Sequence, residues 1–214
     1  MSGEARLREA IAALAVSLFE RGLTHGSTGN ISARTEDGGL LVTPTGSSFG
    51  RLDPARLSRF DAAGRHVGGD RPTKEMPLHE AFYETRHGAG AVVHLHCAHC
   101  VALSTLPEAD EEDFAPALTP YSVMLLGRVK LLPFFVPGDA AIGAAIRGLA
   151  GRHAAVMLAH HGPVVAGRTV ESAVNAVEEL EATARLALLT RGLGARRLTP
   201  DQVEAVTTRF GDPA

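Results

Sequence analysis

The run Ala91-Val92-Val93-His94-Leu95-His96 constrains the fold of this chain more than any other stretch. A short apolar segment carries two imidazoles one residue apart. In a β-strand successive side chains point to opposite faces, so His94 and His96 project the same way while Val93 and Leu95 pack behind them. A strand built like this presents two nitrogen ligands to one metal ion. A second apolar run, Ala154 to Ala159, ends in His160-His161-Gly162 and supplies a third imidazole. Only one of His160 and His161 need bind; the other is expected on the opposite side of the strand. Three histidines with an open fourth position describe a catalytic metal site better than a closed structural one. Zn2+ is the expected ion, and Mn2+, Co2+ or iron would suit the same ligand type.

The rest of the chain is patterned for a layered α/β domain. Leu7, Ile11, Leu14 and Leu18 have helical spacing, closed by Gly22. Strands follow at Ile31 to Ala33 and Leu40 to Thr43 around the turn Asp37-Gly38-Gly39, with a short helix opened by Asp53-Pro54 and a turn at Ala62-Ala63-Gly64. Thr73 is positioned to cap a helix running to about Arg86, with Glu75 and Pro77 in its first turn. A helix from about His99 to Leu106 and a strand near Leu131 to Val136 lie between the two histidine-bearing strands, with a poorly patterned middle. A helix capped by Asp139 ends near Gly151. Val170, Val174, Val177, Leu180, Ala184 and Leu188 mark one face of a long helix starting at Thr169, and Thr199-Pro200-Asp201-Gln202 has capping-box spacing for a last helix. Strands interleaved with helices and hairpins imply a mixed sheet in an α/β domain spanning residues 1–214, and no linker or repeat divides it.

Composition narrows the function. Apolar residues make up 45% of the 214 and charged residues 21%, enough for one sizeable core. A net charge of −3 leaves no basic stripe to follow phosphates, so no nucleic-acid partner is expected. Neither a signal-peptide pattern nor an apolar run of membrane-spanning length is present, and the expected location is the cytoplasm. The two cysteines, Cys97 and Cys100, lack the second pair a four-cysteine zinc site requires; they read as small buried residues in a reducing compartment.

Two small-residue loops, Ser27-Thr28-Gly29-Asn30 and Thr45-Gly46-Ser47-Ser48, offer backbone N–H groups and hydroxyls. Together with Thr73 and Lys74 at a helix start they suggest an anion cradle suited to a phosphate, although ordinary turns explain such loops one at a time. Glu75 taken alone is an N-terminal helix residue facing the dipole, with His79 as its solvent-side partner one turn on.

The combination resembles the class II aldolase family that includes L-fuculose-phosphate aldolase and L-ribulose-5-phosphate 4-epimerase. The resemblance runs from about Ala5 to Val206. It rests on Gly29-Asn30-Ile31-Ser32, Thr43-Pro44-Thr45-Gly46, the glutamate before Met76-Pro77-Leu78-His79, Val93-His94-Leu95-His96 and His161-Gly162, in that order. It implies a three-layer α/β/α fold around a mixed, largely antiparallel sheet. It also implies that His94, His96 and His161 hold the metal, and that Glu75 is the general acid/base and touches the metal when the site is empty. The substrate phosphate would lie against Gly29, Asn30, Thr45, Gly46 and Thr73. A tyrosine from a neighbouring subunit assists in aldolases, and Tyr121 lies in that region. Members are commonly homotetramers with sites at subunit boundaries.

The aldolases carry two serines before the glutamate, where this chain has Thr73-Lys74. That departure, with Leu118-Thr119-Pro120-Tyr121, is more similar to the 3-oxo-tetronate 4-phosphate decarboxylase branch. The resemblance therefore implies loss of carbon dioxide from a sugar-acid phosphate through a metal-stabilised enediolate, leaving dihydroxyacetone phosphate. Lys74 would bind near the phosphate and offset the extra carboxylate charge, unless it is a solvated lysine at a helix start. The alternatives are a sugar-phosphate aldolase and, in another class, a non-enzymatic module like the adducin head. Retention of three histidines and a glutamate speaks against the last.

Overall fold

The computed structural model describes residues 2–211 and 213. The opening pattern forms α1 (Gly3–Glu20), which starts where the Ser2 hydroxyl accepts from Ala5 N–H and buries Ile11, Ala15 and Leu18. Then come β1 (Asn30–Arg34), β2 (Leu40–Val42), two short 3-10 turns, and a hairpin of β3 (Ser58–Phe60) and β4 (His66–Gly68). The central stretch contains α2 (Met76–Thr85), β5 (Ala91–His94), α3 (Ala98–Ser104), α4 (Pro120–Leu126), β6 (Lys130–Leu132) and α5 (Ala140–Gly148). The chain continues through β7 (Ala155–Leu158), β8 (Gly162–Gly167), α6 (Val170–Thr190) and α7 (Pro200–Phe210).

The eight strands form one sheet in the order β4-β3-β2-β1-β5-β8-β7-β6, antiparallel throughout except for the parallel pair β6–β7. Its two faces bury different sets of side chains, as period-two alternation requires. Val93 and Leu95 join Ile31, Met157 and Val165 beneath α1, α3 and α6. Val92 joins Val156, Val164 and Leu158 beneath Leu78 and Phe82 of α2 and Ile142 and Ile146 of α5. The result is the expected three-layer α/β/α arrangement. Cys97 and Cys100 are free and buried in the first of these cores.

Several elements differ from the sequence expectation. The helix expected from Thr73 begins at Met76, with Glu75 as its N-cap residue. A start at Thr73 would put Pro77 at the fourth helical position, where it has no N–H to give to Thr73 and its ring strikes that carbonyl. Instead the Thr73 hydroxyl accepts from Glu75 N–H at 3.2 Å, folding this segment into a local turn. The strand near Leu131 to Val136 stops at Leu132, because Pro133 ends it. The opening at Asp53-Pro54 is a single 3-10 turn, Pro54–Arg56. The strand expected to end in His160-His161 stops at Leu158 as β7, and Ala159-His160-His161 turn the chain into a further strand, β8. Among the described residues no helix is long and apolar enough to cross a membrane.

Candidate active site

Three pieces of backbone converge at one end of the sheet. β5 delivers His94 on the same face as Val92, toward α2, and Leu95 N–H still bonds to Pro163 O as the chain passes on to His96. The β7–β8 turn delivers His161, and the start of α2 delivers Glu75. One ligand atom from each of Glu75, His94, His96 and His161 lies within 4.8 Å of the others. The three imidazoles meet edge to face with ring centroids 4.7–5.0 Å apart. His94, His161 and Glu75 are buried, and His96 is only partly so, which marks the open side of the cluster.

Hydrogen bonding orients these groups. His94 donates from Nδ1 to Pro163 O at 2.8 Å, which leaves the lone pair on Nε2. That Nε2 is 3.3 Å from His161 Nε2 and 3.5 Å from Glu75 Oε2, and His161 Nε2 is 3.3 Å from Glu75 Oε1. Two ligands held at ~2.0–2.1 Å around a tetrahedral ion are about 3.3–3.4 Å apart, so these spacings fit a shared cation. Glu75 Oε1 and His161 Nδ1 are buried and have no hydrogen-bond partner. Burial, reinforced by the neighbouring imidazoles, pushes the pKa of both His94 and His96 down to about 3. His161 is also lowered, chiefly by burial; Glu75 opposes that and Lys74 adds to it. The rings are therefore neutral near pH 7, as metal ligation requires. The donor set and its geometry fit a divalent metal.

Of the residues expected to hold a phosphate, Gly29, Asn30 and Thr73 adjoin this cluster. Gly29 has φ +84°, and a Cβ there would lie 3.0 Å from His94 O, so the loop needs glycine to press against β5. Asn30 pairs with His94 in the ladder, and its Nδ2 donates to Glu75 Oε2 at 2.8 Å. Thr45 N–H bonds to Arg71 O beside a bridge between Pro44 and Pro72, bringing Thr45 and Gly46 next to the segment that carries Thr73 and Lys74. Lys74 is exposed, and its aliphatic stem rests against Gly138.

Three expectations need correction or limits. His160 is not on the far face of a strand; it is exposed in the turn at φ +59°. His79 is not on the solvent side; it is fully buried and bonds to both Asn30 and Ser32. Tyr121, 61% exposed on α4, is not brought to the cluster within one chain; it lines a separate groove of about 770 Å³ with Arg21, His99 and Glu178. Sequence reasoning missed Ser32 and Tyr83, which share a hydrogen bond of 2.8 Å beneath the site. The signal for them was the spacing Asn30–Ser32 on one strand face and Glu75–His79–Tyr83 on one helix face.

A model of the class II aldolase and adducin N-terminal domain family matches residues 9–188. The chain belongs to that family. It is 42% identical to a 3-oxo-tetronate 4-phosphate decarboxylase from Pectobacterium atrosepticum, over 95% of this chain and 93% of that one. It is 31% identical to an L-fuculose phosphate aldolase from Haemophilus influenzae, over 96% and 94% respectively. The crystal structure of YgbL from Escherichia coli superposes with a TM-score of 0.93 at 41% identity, over 96% of this chain and 99% of that one.

Proposed function

We propose that this member of the class II aldolase family is a metal-dependent carboxy-lyase that converts a 3-oxo-tetronate 4-phosphate to dihydroxyacetone phosphate and carbon dioxide. The observation that carries this reading is the likeness, across nearly the whole chain, to a decarboxylase of that name, against weaker likeness to an aldolase. The Glu75, His94, His96 and His161 cluster supports the metal dependence. His94, His96 and His161 would hold the ion, with Glu75 beside them; zinc is the ion we infer from three imidazoles. When bound, a divalent cation supplies Lewis-acid stabilisation of the oxyanion charge that develops at the substrate's carbonyl.

The chain's own residues do the rest. Gly29, Asn30, Thr45, Gly46 and Thr73 bind the phosphate, so that its binding energy aligns the reacting bond. Lys74, which lies close enough to act on His161, offsets the charge of the substrate carboxylate until that group departs. The bond between the carboxylate carbon and its neighbour breaks, carbon dioxide leaves, and the electron pair stays on the remaining fragment. Glu75 then gives a proton to the carbon that lost the carboxylate. Its Oε2 accepts from Asn30, so the transferable proton belongs on Oε1, the oxygen with no hydrogen bond. We further propose that residues 1–214 fold as one domain and that the protein is a cytoplasmic homotetramer. Tyr121, an exposed aromatic, would then assist the site of a neighbouring subunit.

Kinetics on two substrates side by side test the reading. Carbon dioxide is expected from 3-oxo-tetronate 4-phosphates, with little aldehyde from fuculose 1-phosphate. Lys74→Ser is expected to weaken binding of the acid more than that of the sugar phosphate. Efficient fuculose 1-phosphate cleavage with no carbon dioxide from the acid would make the protein an aldolase. Absence of bound metal and of either activity would favour a binding module.

A further inference from the structure

We infer that His79 is a positioning residue for Glu75, acting through the side-chain amide of Asn30. The inference rests on the proposed role of Glu75 as proton donor. Five buried side chains form one hydrogen-bonded row from α2 through β1 to the cluster. Tyr83 Oη is 2.8 Å from Ser32 Oγ, Ser32 Oγ is 2.7 Å from His79 Nδ1, His79 Nε2 is 2.5 Å from Asn30 Oδ1, and Asn30 Nδ2 is 2.8 Å from Glu75 Oε2. His79 is completely enclosed, and Asn30 and Ser32 are 4% and 0% exposed, so water does not substitute for any of these partners.

The directions of these bonds follow from the carboxylate end. An ionised Glu75 only accepts, so Asn30 must turn its NH₂ toward Oε2 and its oxygen toward His79. His79 must then carry hydrogen on Nε2. A neutral imidazole has a single N–H, so Nδ1 accepts from Ser32, and Ser32 in turn accepts from Tyr83. Every donor points toward Glu75. If His79 carried its hydrogen on Nδ1 instead, its Nε2 would draw the NH₂ of Asn30 to itself. The amide oxygen would then face Glu75, acceptor against acceptor, between two buried groups. His79 thus fixes which end of the amide meets the carboxylate. It thereby ties down Oε2 and leaves Oε1 free to hold the proton. A fold that needed only a buried hydrogen-bonded histidine would not require this order of donors.

The experiment has a structural arm and a kinetic arm. Long-range nitrogen–proton NMR on the metal-free wild-type protein is expected to show His79 as the Nε2–H tautomer. An Nδ1–H tautomer or an imidazolium would overturn the inference, whether or not the enzyme is a decarboxylase. In the kinetic arm, His79→Phe is expected to lower kcat 10- to 100-fold, with KM changed less than threefold and metal content intact. Hydrogen exchange into dihydroxyacetone phosphate from D₂O should fall in parallel. His79→Gln, whose amide can still donate to Asn30 Oδ1, is expected to recover kcat to within fivefold of the parent. A folded, metal-loaded His79→Phe enzyme with the parent kcat, or equal damage from both substitutions, would overturn the inference. If His79→Phe does not fold, the tautomer and the glutamine variant still decide it. A parent protein that neither releases carbon dioxide nor exchanges hydrogen would sink the proposed reaction and leave the tautomer result to judge the positioning.

Discussion

Gly162 stands where the two arms of the histidine cluster touch, so replacing it with alanine tests whether those arms jointly hold a metal. An ideal Cβ at this position would lie 2.0 Å from Leu95 O, 3.0 Å from Leu95 C and 3.2 Å from His96 Cα. A carbon settles no closer than about 3.3 Å to a carbonyl oxygen, so the two backbones must separate by about 1.3 Å. The obstacle is backbone on both sides, and no flexible side chain can swing away. The displacement falls between His96 and His161, one residue from each, whereas ligand distances in a working site tolerate only about 0.2 Å. Overpacking of this kind costs about 1–3 kcal/mol of stability. Gly64→Ala is the control: it has φ +74° with nothing within 4 Å, in the β3–β4 turn away from the cluster. There the cost is left-handed strain alone, about 1–2 kcal/mol. Urea unfolding of both variants and calorimetric zinc titration of the metal-stripped proteins are the measurements. Similar stability losses are expected, with zinc affinity lowered on the order of 100-fold or more in Gly162→Ala only. Zinc binding by Gly162→Ala within threefold of the parent would refute the reasoning, because His96 and His161 could not then both be ligands.

Three further outcomes are expected. His161→Ala strips the metal while His160→Ala keeps it, since only His161 is turned into the cluster and His160 is exposed; metal analysis of the purified variants in the opposite order would reverse the assignment. Glu75→Gln keeps the fold but loses ~10²–10⁴-fold in turnover, the usual contribution of a positioned acid/base, and parent-like turnover would move proton delivery to another group. Burial pushes the His79 pKa down to about 3 in the folded state, against 6.5 as its ordinary value. The unfolded chain therefore binds the extra proton below pH 6.5 and stability falls as pH drops. Denaturant titrations from pH 6.5 to 4.5 should show His79→Gln losing less, by a difference that steepens to about 1.4 kcal/mol per pH unit at the acid end, and equal slopes would contradict the assignment.

The parts of the molecule that were legible in the sequence are those governed by local rules. The His94–His96 pair was readable because period two needs no knowledge of what the strand packs against, although β5 ends at His94 and only the Leu95 N–H bond to Pro163 O carries the extended chain on to His96. The caps at Asp139, Thr169 and Thr199 were readable for the same reason, and all three accept the expected backbone N–H. β8 escaped notice because Gly162 and Pro163 look like loop, although Pro163 O is what orients His94. β3 and β4 are three residues each, too short for alternation to register. α4 opens with the same Thr-Pro signal as α7 but continues into an apolar run without a polar face. His79 was misplaced because a helix pattern shows that a stripe exists without showing what lies opposite it. That Asn30 and Ser32 lie there is a fact of tertiary packing.

This division explains why the site is held by register as much as by residue choice. Asn30 stands opposite His94, His94 stands opposite Val164, and Leu158 stands opposite Gly162. Those three pairings place on one side of the sheet groups that are far apart in the chain. With β1 held in place, a slip of β5 by one residue would turn His94 into the apolar layer under α6, away from the face that Asn30 shares with Glu75. The alternative register is disfavoured by what it would bury: an imidazole in place of Val93, among Ile31, Met157 and Val165, with no partner for its N–H. The apolar face that builds the core therefore also fixes the pairing that assembles the cluster. A substitution that loosens β1 against β5 is thus expected to disturb the cluster before it unfolds the chain.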